Sequence, residues 1–155
     1  MTVHDYLIDP AELDWGKLLA EWQWLLPDSF TVWLVNRFGD LFLVFDDDSV
    51  HMLDIGQGEL EELAEDREIF CDLIDEEDNA VQWLMVPLVD ACVAKGLELG
   101  PGQCYSYDQP PVLGGEYSVR NTRLSSLADH YGLFGQLHRQ THHLPDGAEV
   151  EIGGI

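Results

Sequence analysis

Apolar residues form three short runs in the first third of the chain. The runs cover Thr31 to Asn36, Leu41 to Phe45 and Val50 to Ile55, and they are separated by residues 38–40 and 46–49. Each run has the length of a strand, and the Gly, Asp and Ser residues between them are typical of turns. The pattern predicts a three-stranded antiparallel meander.

A helix is predicted before this meander. Asp9 can cap its N-terminus, Pro10 suits the first helical position, and Glu12 suits the third. The helix would run to about Leu26, where Pro27 stops it. Its apolar stripe consists of Leu18, Trp22 and Leu25. Trp15 and Trp24 fall off this stripe, so they are either partly exposed interface residues or further parts of the core.

Three more helices are predicted after the meander. Two short acidic helices are expected around Glu59 to Ala64 and Asp66 to Ile74. A longer one starts at Asn79, where apolar residues recur at helical spacing, and it ends before Gly96. Pro87 lies inside this helix and should kink it.

The strip from Leu97 to Glu116 combines Gly and Pro punctuation with aromatic residues, which is typical of a fixed, packed loop. A strand is predicted over Tyr117 to Arg123, and Ser125 or Ser126 is expected to cap a final helix. The apolar stripe of this helix consists of Leu127, Tyr131, Phe134, His138 and Thr141. Gly132 and Gly135 within it predict close backbone packing.

Together these elements predict an α+β fold. A small antiparallel sheet, formed by the meander and one later strand, would carry helices packed on one face. The length of 155 residues suits a single domain over residues 1–155. Within it we expect an N-terminal helical segment (1–29), a main part (30–147) and a tail (148–155).

Charge is strongly and unevenly negative. Thirty acidic and seven basic residues leave a net charge of −23. Residues 1–79 hold 22 acids and three bases, whereas residues 80–155 hold eight acids and four bases. Such a field repels DNA, RNA and anionic membranes and favours a basic protein partner, although plain solubility is the alternative explanation.

The acids that we expect to contact such a partner lie in three clusters. The first is the predicted hairpin tip, the second lies after the meander, and the third is a loop between helices. They are Asp46, Asp47, Asp48, Glu61, Glu62, Glu65, Asp66, Asp75, Glu76, Glu77 and Asp78.

Metal and phosphate sites are not supported. Residues 46–57 fail the EF-hand pattern, because His51 stands at the glycine position and Gln57 at the bidentate glutamate position. The segment Gly56 to Gly58 lacks the third glycine of a phosphate loop, and the acids that follow it would repel a phosphate. His138 and His142 have helical zinc-ligand spacing without a third ligand nearby, so His138 is expected to form a hydrogen bond in the core.

Catalysis has no specific support either. Cys104 with His130 or His138 could form a nucleophilic pair, but the residues are distant in sequence and no nucleophile elbow or P-loop is present. Cys71, Cys92 and Cys104 are odd in number and widely spaced, which suits reduced thiols in a cytoplasm. We expect all three in or near the core. The first thirty residues lack the basic region of a signal peptide.

Three segments resemble a known family. They are RFGDLFLVFDDDSVHMLDIGQGELEELAED (37–66), LGPGQCYSYDQPPVLGGEYSVRN (99–121) and LHRQTHHLPDG (137–147). They look like the C-terminal domain of bacterial immunity proteins to type VI secretion DNase effectors, over about residues 30–147. In that family a GAD-like domain often precedes this one, whereas about thirty residues precede Phe30 here. The matching positions expected to act as scaffold are Gly102, Pro111, Gly114, Gly115, Glu116, Tyr117 and His138.

The resemblance and the charge together predict a non-catalytic cytoplasmic protein that binds and neutralises a basic toxin, most simply a nuclease effector. No cofactor, metal, nucleic acid or membrane is expected, and the protein should be a monomer or weak homodimer. The alternative is a small-ligand sensor or enzyme with a pocket beside Cys104 to Tyr117 and His138. A pocket lined by Tyr105, Tyr107 and His138 would favour it, and a filled core would favour the binding protein.

Overall fold

A five-stranded antiparallel sheet dominates the first half of the protein. The computed structural model describes residues 3–11, 13–76 and 78–141. The strands follow one another in the order β1 to β5, and they are Leu7–Ile8 (β1), Phe30–Asn36 (β2), Leu41–Phe45 (β3), Val50–Asp54 (β4) and Glu59–Ala64 (β5). The predicted meander is confirmed, since Val32 pairs with Leu43 and Leu43 pairs with His51.

The helix predicted around residues 59–64 is wrong, because this segment is strand β5. Leu60 lies opposite Leu53 and Glu61 opposite Met52 on the neighbouring strand β4. Leu60 and Leu63 have the spacing of a helical face. The free edge of β4 nevertheless supplies backbone hydrogen bonds and apolar contacts to an extended chain, and this tertiary pairing outweighs helix propensity.

The remaining elements are helices, short 3₁₀ turns and a second sheet. The helices are Trp15–Leu18 (α1), Arg67–Ile74 (α2), Asn79–Trp83 (α3), Val86–Ala94 (α4) and Leu127–Thr141 (α5). The 3₁₀ turns are Val3–Tyr6, Ala20–Trp22, Pro111–Leu113 and Val119–Asn121. The second sheet pairs Gln103–Tyr107 (β6) with Thr122–Ser126 (β7) in antiparallel fashion.

The predicted long N-terminal helix is also wrong. Asp9 accepts the backbone N–H of Ala11, but α1 begins only at Trp15 and gives way to the 3₁₀ turn after Leu18. Trp22 in that turn is fully buried and donates its indole N–H to the carbonyl of Tyr131, at 2.9 Å. The contact with α5 therefore decides the path of this segment.

The helix predicted from Asn79 is two helices, α3 and α4. Met85 between them has a φ of 52°, and Pro87 lies in the first turn of α4, where its missing N–H costs nothing. Pro87 thus starts a helix and does not kink one. The expected end is confirmed by Gly96, whose φ of 81° terminates the helical run. Asp66 caps α2 by accepting the N–H of Ile69 at 2.8 Å.

The strip from Leu97 to Glu116 contains strand β6, so it is more regular than the predicted loop. The strand predicted from Tyr117 begins only at Thr122. Ser126 caps α5 as expected, since its hydroxyl accepts the N–H of Asp129. Gly135 confirms the predicted close packing, because a Cβ there would lie 2.7 Å from Cβ of Glu21. At Gly132 that prediction is wrong, because a Cβ would meet nothing within 4 Å.

Two groups of aromatic residues join these layers. Phe42 on β3 packs against Phe70 on α2 and Trp83 on α3, with ring centroids 5.7 and 6.4 Å away. At the turn between β2 and β3, Phe38 stacks on Tyr107 of β6, with centroids 5.4 Å apart. Helix α5 closes this end, because the hydroxyl of Tyr131 donates to the carbonyl of Gly39 at 2.8 Å. In the part of the chain that the structure describes, no helix is long and apolar enough to cross a bilayer.

Candidate partner-binding surface

The hairpin tip between β3 and β4 uses two of its three aspartates to shape the turn. Asp47 accepts hydrogen bonds from the backbone N–H and the hydroxyl of Ser49, and these bonds lower the pKa of Asp47. Asp48 has a φ of 69°, in the left-handed region that Asp tolerates in turns. Asp46 accepts a hydrogen bond from the hydroxyl of Ser29 at 3.0 Å. The tip is therefore a structured turn with exposed carboxylates.

Helix α2 is joined to this tip by an ion pair. Nε of Arg67 lies 2.8 Å from Oδ1 of Asp48, and both side chains are partly exposed. Glu65 and Asp66 immediately precede Arg67, so the first and second predicted acid clusters meet here. Arg67 is the one basic residue among the fifteen acids of residues 46–78.

Strand β5 contributes the acids of the sheet edge. Glu61 and Glu62 are both exposed, and Glu62 lies 3.8 Å from Nε2 of His51 on β4. Glu59 and Glu61 share a face of the sheet with Asp54. Burial raises the pKa of Asp54, and the neighbouring charges of Glu59 and Glu61 raise it further. This part of the molecule is therefore a region of strong negative potential.

The outer face of α2 links the tip to the loop that follows the helix. Glu68 and Asp72 are exposed and lie four residues apart, and Asp75 follows after the last turn. The sequence interpretation missed Glu68 and Asp72, which the helical spacing after the Asp66 cap could have revealed. Asp75, Glu76 and Asp78 are exposed, whereas Glu77 lies outside the described residues. The eight residues of α2 span about 12 Å, so the helix links the first two clusters to the third.

We call this region the acidic surface, and it consists of the hairpin tip 46–48, the edge strand β5, and residues 65–78. A buried polar network joins the turn between β2 and β3 to the end of β4 and to α3. The Asn36 carboxamide oxygen accepts the N–H groups of Phe38 and Asp40, and its Nδ2 donates to Oδ2 of Asp40 and to the carbonyl of Trp83. Oδ1 of Asp40 accepts the N–H of Ile55 at 2.9 Å. Burial raises the pKa of Asp40 well above its ordinary value.

Several of the residues expected to act as scaffold lie at constrained backbone positions. Gly102 and Gly114 have φ values of 72° and 93°, and Pro111 is buried against Gly56. A Cβ on Gly115 would overlap the backbone carbonyl of Gln109.

Glu116 and Tyr117 occupy more open positions. The Glu116 side chain is exposed and, among the described residues, accepts no backbone hydrogen bond. The Asn121 side chain instead donates to the Glu116 carbonyl at 2.9 Å. The hydroxyl of Tyr117 accepts a hydrogen bond from Nε2 of Gln57 at 2.8 Å. Burial of part of the ring raises the pKa of Tyr117 to about 12.

The core beside the strip is filled. Tyr105 and His138 are buried, the Tyr105 hydroxyl donates to the carbonyl of Leu97, and Nε2 of His138 lies 2.8 Å from the carbonyl oxygen of Ile55. The expected core hydrogen bond of His138 is thereby confirmed. A cavity of about 710 Å³ opens on a neighbouring face, where Tyr107 and His130 belong to its lining but Tyr105 and His138 do not. Among the described residues, this cavity borders the strip but is not the predicted pocket lined by Tyr105, Tyr107 and His138.

Among the described residues, Cys104 is not arranged as a catalytic nucleophile. Burial raises the pKa of the Cys104 thiol, and the nearby Asp40 raises it further, so a thiolate is disfavoured. Both ring nitrogens of His130 have other partners, the hydroxyl of Ser106 and the carbonyl of Phe38. Cys71 is exposed, so the expectation that all three cysteines lie in or near the core is wrong for it.

Metal-ligating side chains do not converge within residues 3–11, 13–76 and 78–141. No group of three or more His, Cys, Asp or Glu residues there could hold an ion. His142, the partner of His138 in the zinc-like spacing, lies outside the described residues, as does His143.

Both tryptophans that fall off the predicted stripe are partly buried. Trp15 donates its indole N–H to the carbonyl of Pro10, and Trp24 donates its own to the carbonyl of Glu21. Trp15 also belongs to the lining of a groove of about 840 Å³ between the N-terminal segment and the start of β2.

A family model matches much of the second half of the chain. The family model described as T6SS immunity protein Tdi1, C-terminal, matches residues 64–138, from the end of β5 to the last turns of α5. Over this segment the chain is similar to the type VI secretion immunity family, which confirms the resemblance noted in its sequence. Proteins of that family are typically non-catalytic and have a cognate toxin as partner.

A solved structure shares the fold. The crystal structure of Atu4351 from Agrobacterium tumefaciens is similar with a TM-score of 0.52 and 20% sequence identity. The similarity covers 78% of this chain and 60% of that protein, so this chain spans only part of its length. No curated protein matches the sequence.

Proposed function

We propose that this protein neutralises a secreted nuclease effector in the bacterial cytoplasm, by stoichiometric binding through the acidic surface. The observation that carries the proposal is the continuity of that surface. The Asp48–Arg67 ion pair and the outer face of α2 join three acid clusters that are separate in sequence. The nuclease class of the partner rests on the sequence resemblance.

Charge complementarity supplies the physical reason. A nuclease must hold a polyanion, so it carries basic residues at or near its active site. An acidic protein is attracted to that surface from a distance and can cover it or a neighbouring one. The same field repels nucleic acid, so we also propose that the protein binds neither DNA nor RNA, needs no metal, and is a monomer or weak homodimer when free.

The acids of this surface differ in how much the local structure depends on them. Asp47, Asp48 and Asp66 each hold local structure through hydrogen bonds or an ion pair, so their replacement would disturb the fold. Glu68, Asp72 and Asp75 are exposed, and among the described residues their carboxylates form no ion pair. Replacing these three residues should therefore change the surface charge with little effect on the fold.

A matched pair of triple variants tests the proposal. One variant carries Glu68→Lys, Asp72→Lys and Asp75→Lys on the acidic surface. The control carries Glu98→Lys, Asp108→Lys and Asp129→Lys, three exposed positions in the second half of the chain. Both change the net charge by the same amount. Binding to the catalytically inactivated effector is followed by stopped-flow or biolayer kinetics, and protection is followed by growth of cells that express the active effector.

The first variant should lower the association rate constant roughly tenfold or more, whereas the control should lower it much less. The wild-type association rate should also fall steeply from 0.01 to 0.15 M salt, since the Debye length shortens from about 30 to about 8 Å. Equal effects of the two variants would show that only net charge matters, and the acidic surface would then be the wrong interface.

A further inference from the structure

A shallow apolar groove lies beside the acidic surface. It has a volume of about 490 Å³ and runs between helices α3 and α4 and the segment around Tyr117. Its lining includes Val81, Met85, Leu88, Tyr117 and Val119. The exposed fractions of Val81 and Tyr117 are 40% and 47%, which is high for apolar side chains of this size.

Tyr117 is exposed but rigidly held. Its hydroxyl accepts the hydrogen bond from Gln57, and its ring packs edge-on against buried Tyr107, with centroids 5.7 Å apart. A side chain that is already ordered loses little conformational entropy when a partner covers it. Ordered aromatic residues next to a depression are the usual anchors of protein interfaces.

The backbone of one residue that lines the groove has an unusual conformation. Met85 occupies the left-handed region between α3 and α4, a conformation that costs a side-chain-bearing residue free energy. In the wall, the buried hydroxyl of Ser118 has no hydrogen-bond partner among the described residues.

The position of the groove defines the chemistry of its occupant. Val81 lies three residues after Asp78, and exposed Asp75 and Glu76 lie in the segment that leads to this helix. A partner segment that enters the groove therefore passes the acidic surface. We propose that the groove binds an aliphatic or aromatic side chain of the effector, from a segment whose flanking residues are Lys or Arg.

A second copy of this chain fits the site poorly. Each copy has a net charge of −23, and the acids beside the groove would face the same acids of the other copy. Like charges brought together across an interface destabilise it, whereas a basic segment gains attraction there. This inference rests on the proposed function. It adds to it a short-range anchor in the groove, which holds the effector after charge attraction has brought the two proteins together.

Two matched pairs of substitutions test the anchor. Val81→Gln removes apolar surface from the groove, and Val93→Gln makes the same change on α4 outside the groove, at a side chain that is 52% exposed. Tyr117→Ala removes the ring, whereas Tyr117→Phe keeps it. The measurement is the kinetics of binding to the inactivated effector, and thermal unfolding of each variant shows whether the fold is kept.

We expect Val81→Gln and Tyr117→Ala to raise the dissociation rate constant about tenfold or more, with little change in association rate or in its salt dependence. Val93→Gln and Tyr117→Phe should bind almost like the wild type.

Three other results would overturn the inference. Unchanged dissociation of Val81→Gln, with the α2 charge reversals still slowing association, removes the anchor but leaves the proposed function intact. A groove substitution that abolishes self-association without affecting effector binding assigns the groove to a homodimer. If the wild-type protein binds and inhibits no nuclease effector, the proposed function itself fails, and the inference with it.

Discussion

The imidazole of His138 occupies the space that a side chain at Gly58 would need. A Cβ placed on Gly58 would overlap the ring, and the same ring holds the carbonyl of Ile55 through Nε2. One end of α5 is thereby locked to the turn between β4 and β5, next to the acidic edge strand.

Gly58→Ala should therefore destabilise the protein by about 2–4 kcal/mol. The change combines the cost of a left-handed conformation, about 1–2 kcal/mol, with displacement of the His138 ring. Gly96→Ala is the matched control, because its φ of 81° is similar but a Cβ there would meet nothing within 4 Å. Urea unfolding measures both, and equal losses would show that the His138 contact is not close.

His130 should make the protein lose stability in acid. Burial lowers its pKa to about 4, so the fold favours the neutral imidazole. The contribution of His130 to the free energy of unfolding is therefore fully present above its ordinary pKa of about 6.5, and it is lost as the pH drops toward 4. The loss is about 3 kcal/mol, from 1.36 kcal/mol per pKa unit.

His130→Gln separates this effect from the titration of the many carboxylates, which both proteins share. The variant should be less stable at pH 7 but should show a shallower decline of urea stability between pH 6.5 and 4. Identical pH slopes would contradict a buried neutral His130.

Cysteine accessibility should follow the burial of each thiol. Cys71 is exposed, whereas Cys92 and Cys104 are buried and burial raises the pKa of both. Iodoacetamide at pH 8 should modify Cys71 in the folded protein and all three cysteines in urea, as read by mass spectrometry. Rapid modification of Cys104 in the native protein would mean that the core beside the strip opens.

Asn36→Asp should be strongly destabilising although it keeps the shape of the side chain. The variant loses the donors to Asp40 and to the carbonyl of Trp83 and places a second carboxyl beside a buried one. Comparable uncompensated buried charges cost about 3–5 kcal/mol.

The penalty of Asn36→Asp should also depend on pH. Because burial raises the pKa of Asp40, its contribution to stability is present at low pH and is lost as the pH rises above the ordinary Asp value. The penalty should therefore grow from pH 4 to pH 8. Gln136→Glu adds the same charge at an exposed position of α5 and should leave stability almost unchanged. A stability penalty that does not change with pH would show that the Asp40 carboxyl is in contact with solvent.

The hydrophobic pattern located the elements whose contacts are local or regular. Strands β2, β3 and β4 alternate with turn residues, and α5 carries a clear apolar stripe, so both were predicted. Caps such as Asp66 and Ser126 depend on hydrogen bonds within three residues, and they too could be identified from the sequence.

Elements whose conformation depends on distant partners were missed. Glu59–Ala64 has helical composition and spacing, yet it pairs with β4. The N-terminal segment has a helix start signal at Asp9, yet the burial of Trp22 against α5 breaks the helix. In both cases the free energy of tertiary contacts exceeds the small differences in local propensity.

The sequence by itself indicated the resemblance to the immunity family, the α+β class, and the amount and position of negative charge along the chain. Only the tertiary structure decided which charges meet, because the Asp48–Arg67 pair brings the hairpin tip to the start of α2. It also decided that His138 and Tyr105 fill the core and that Tyr117 borders an open groove. Charge is a property of single residues, whereas a surface depends on contacts between residues that are distant in sequence.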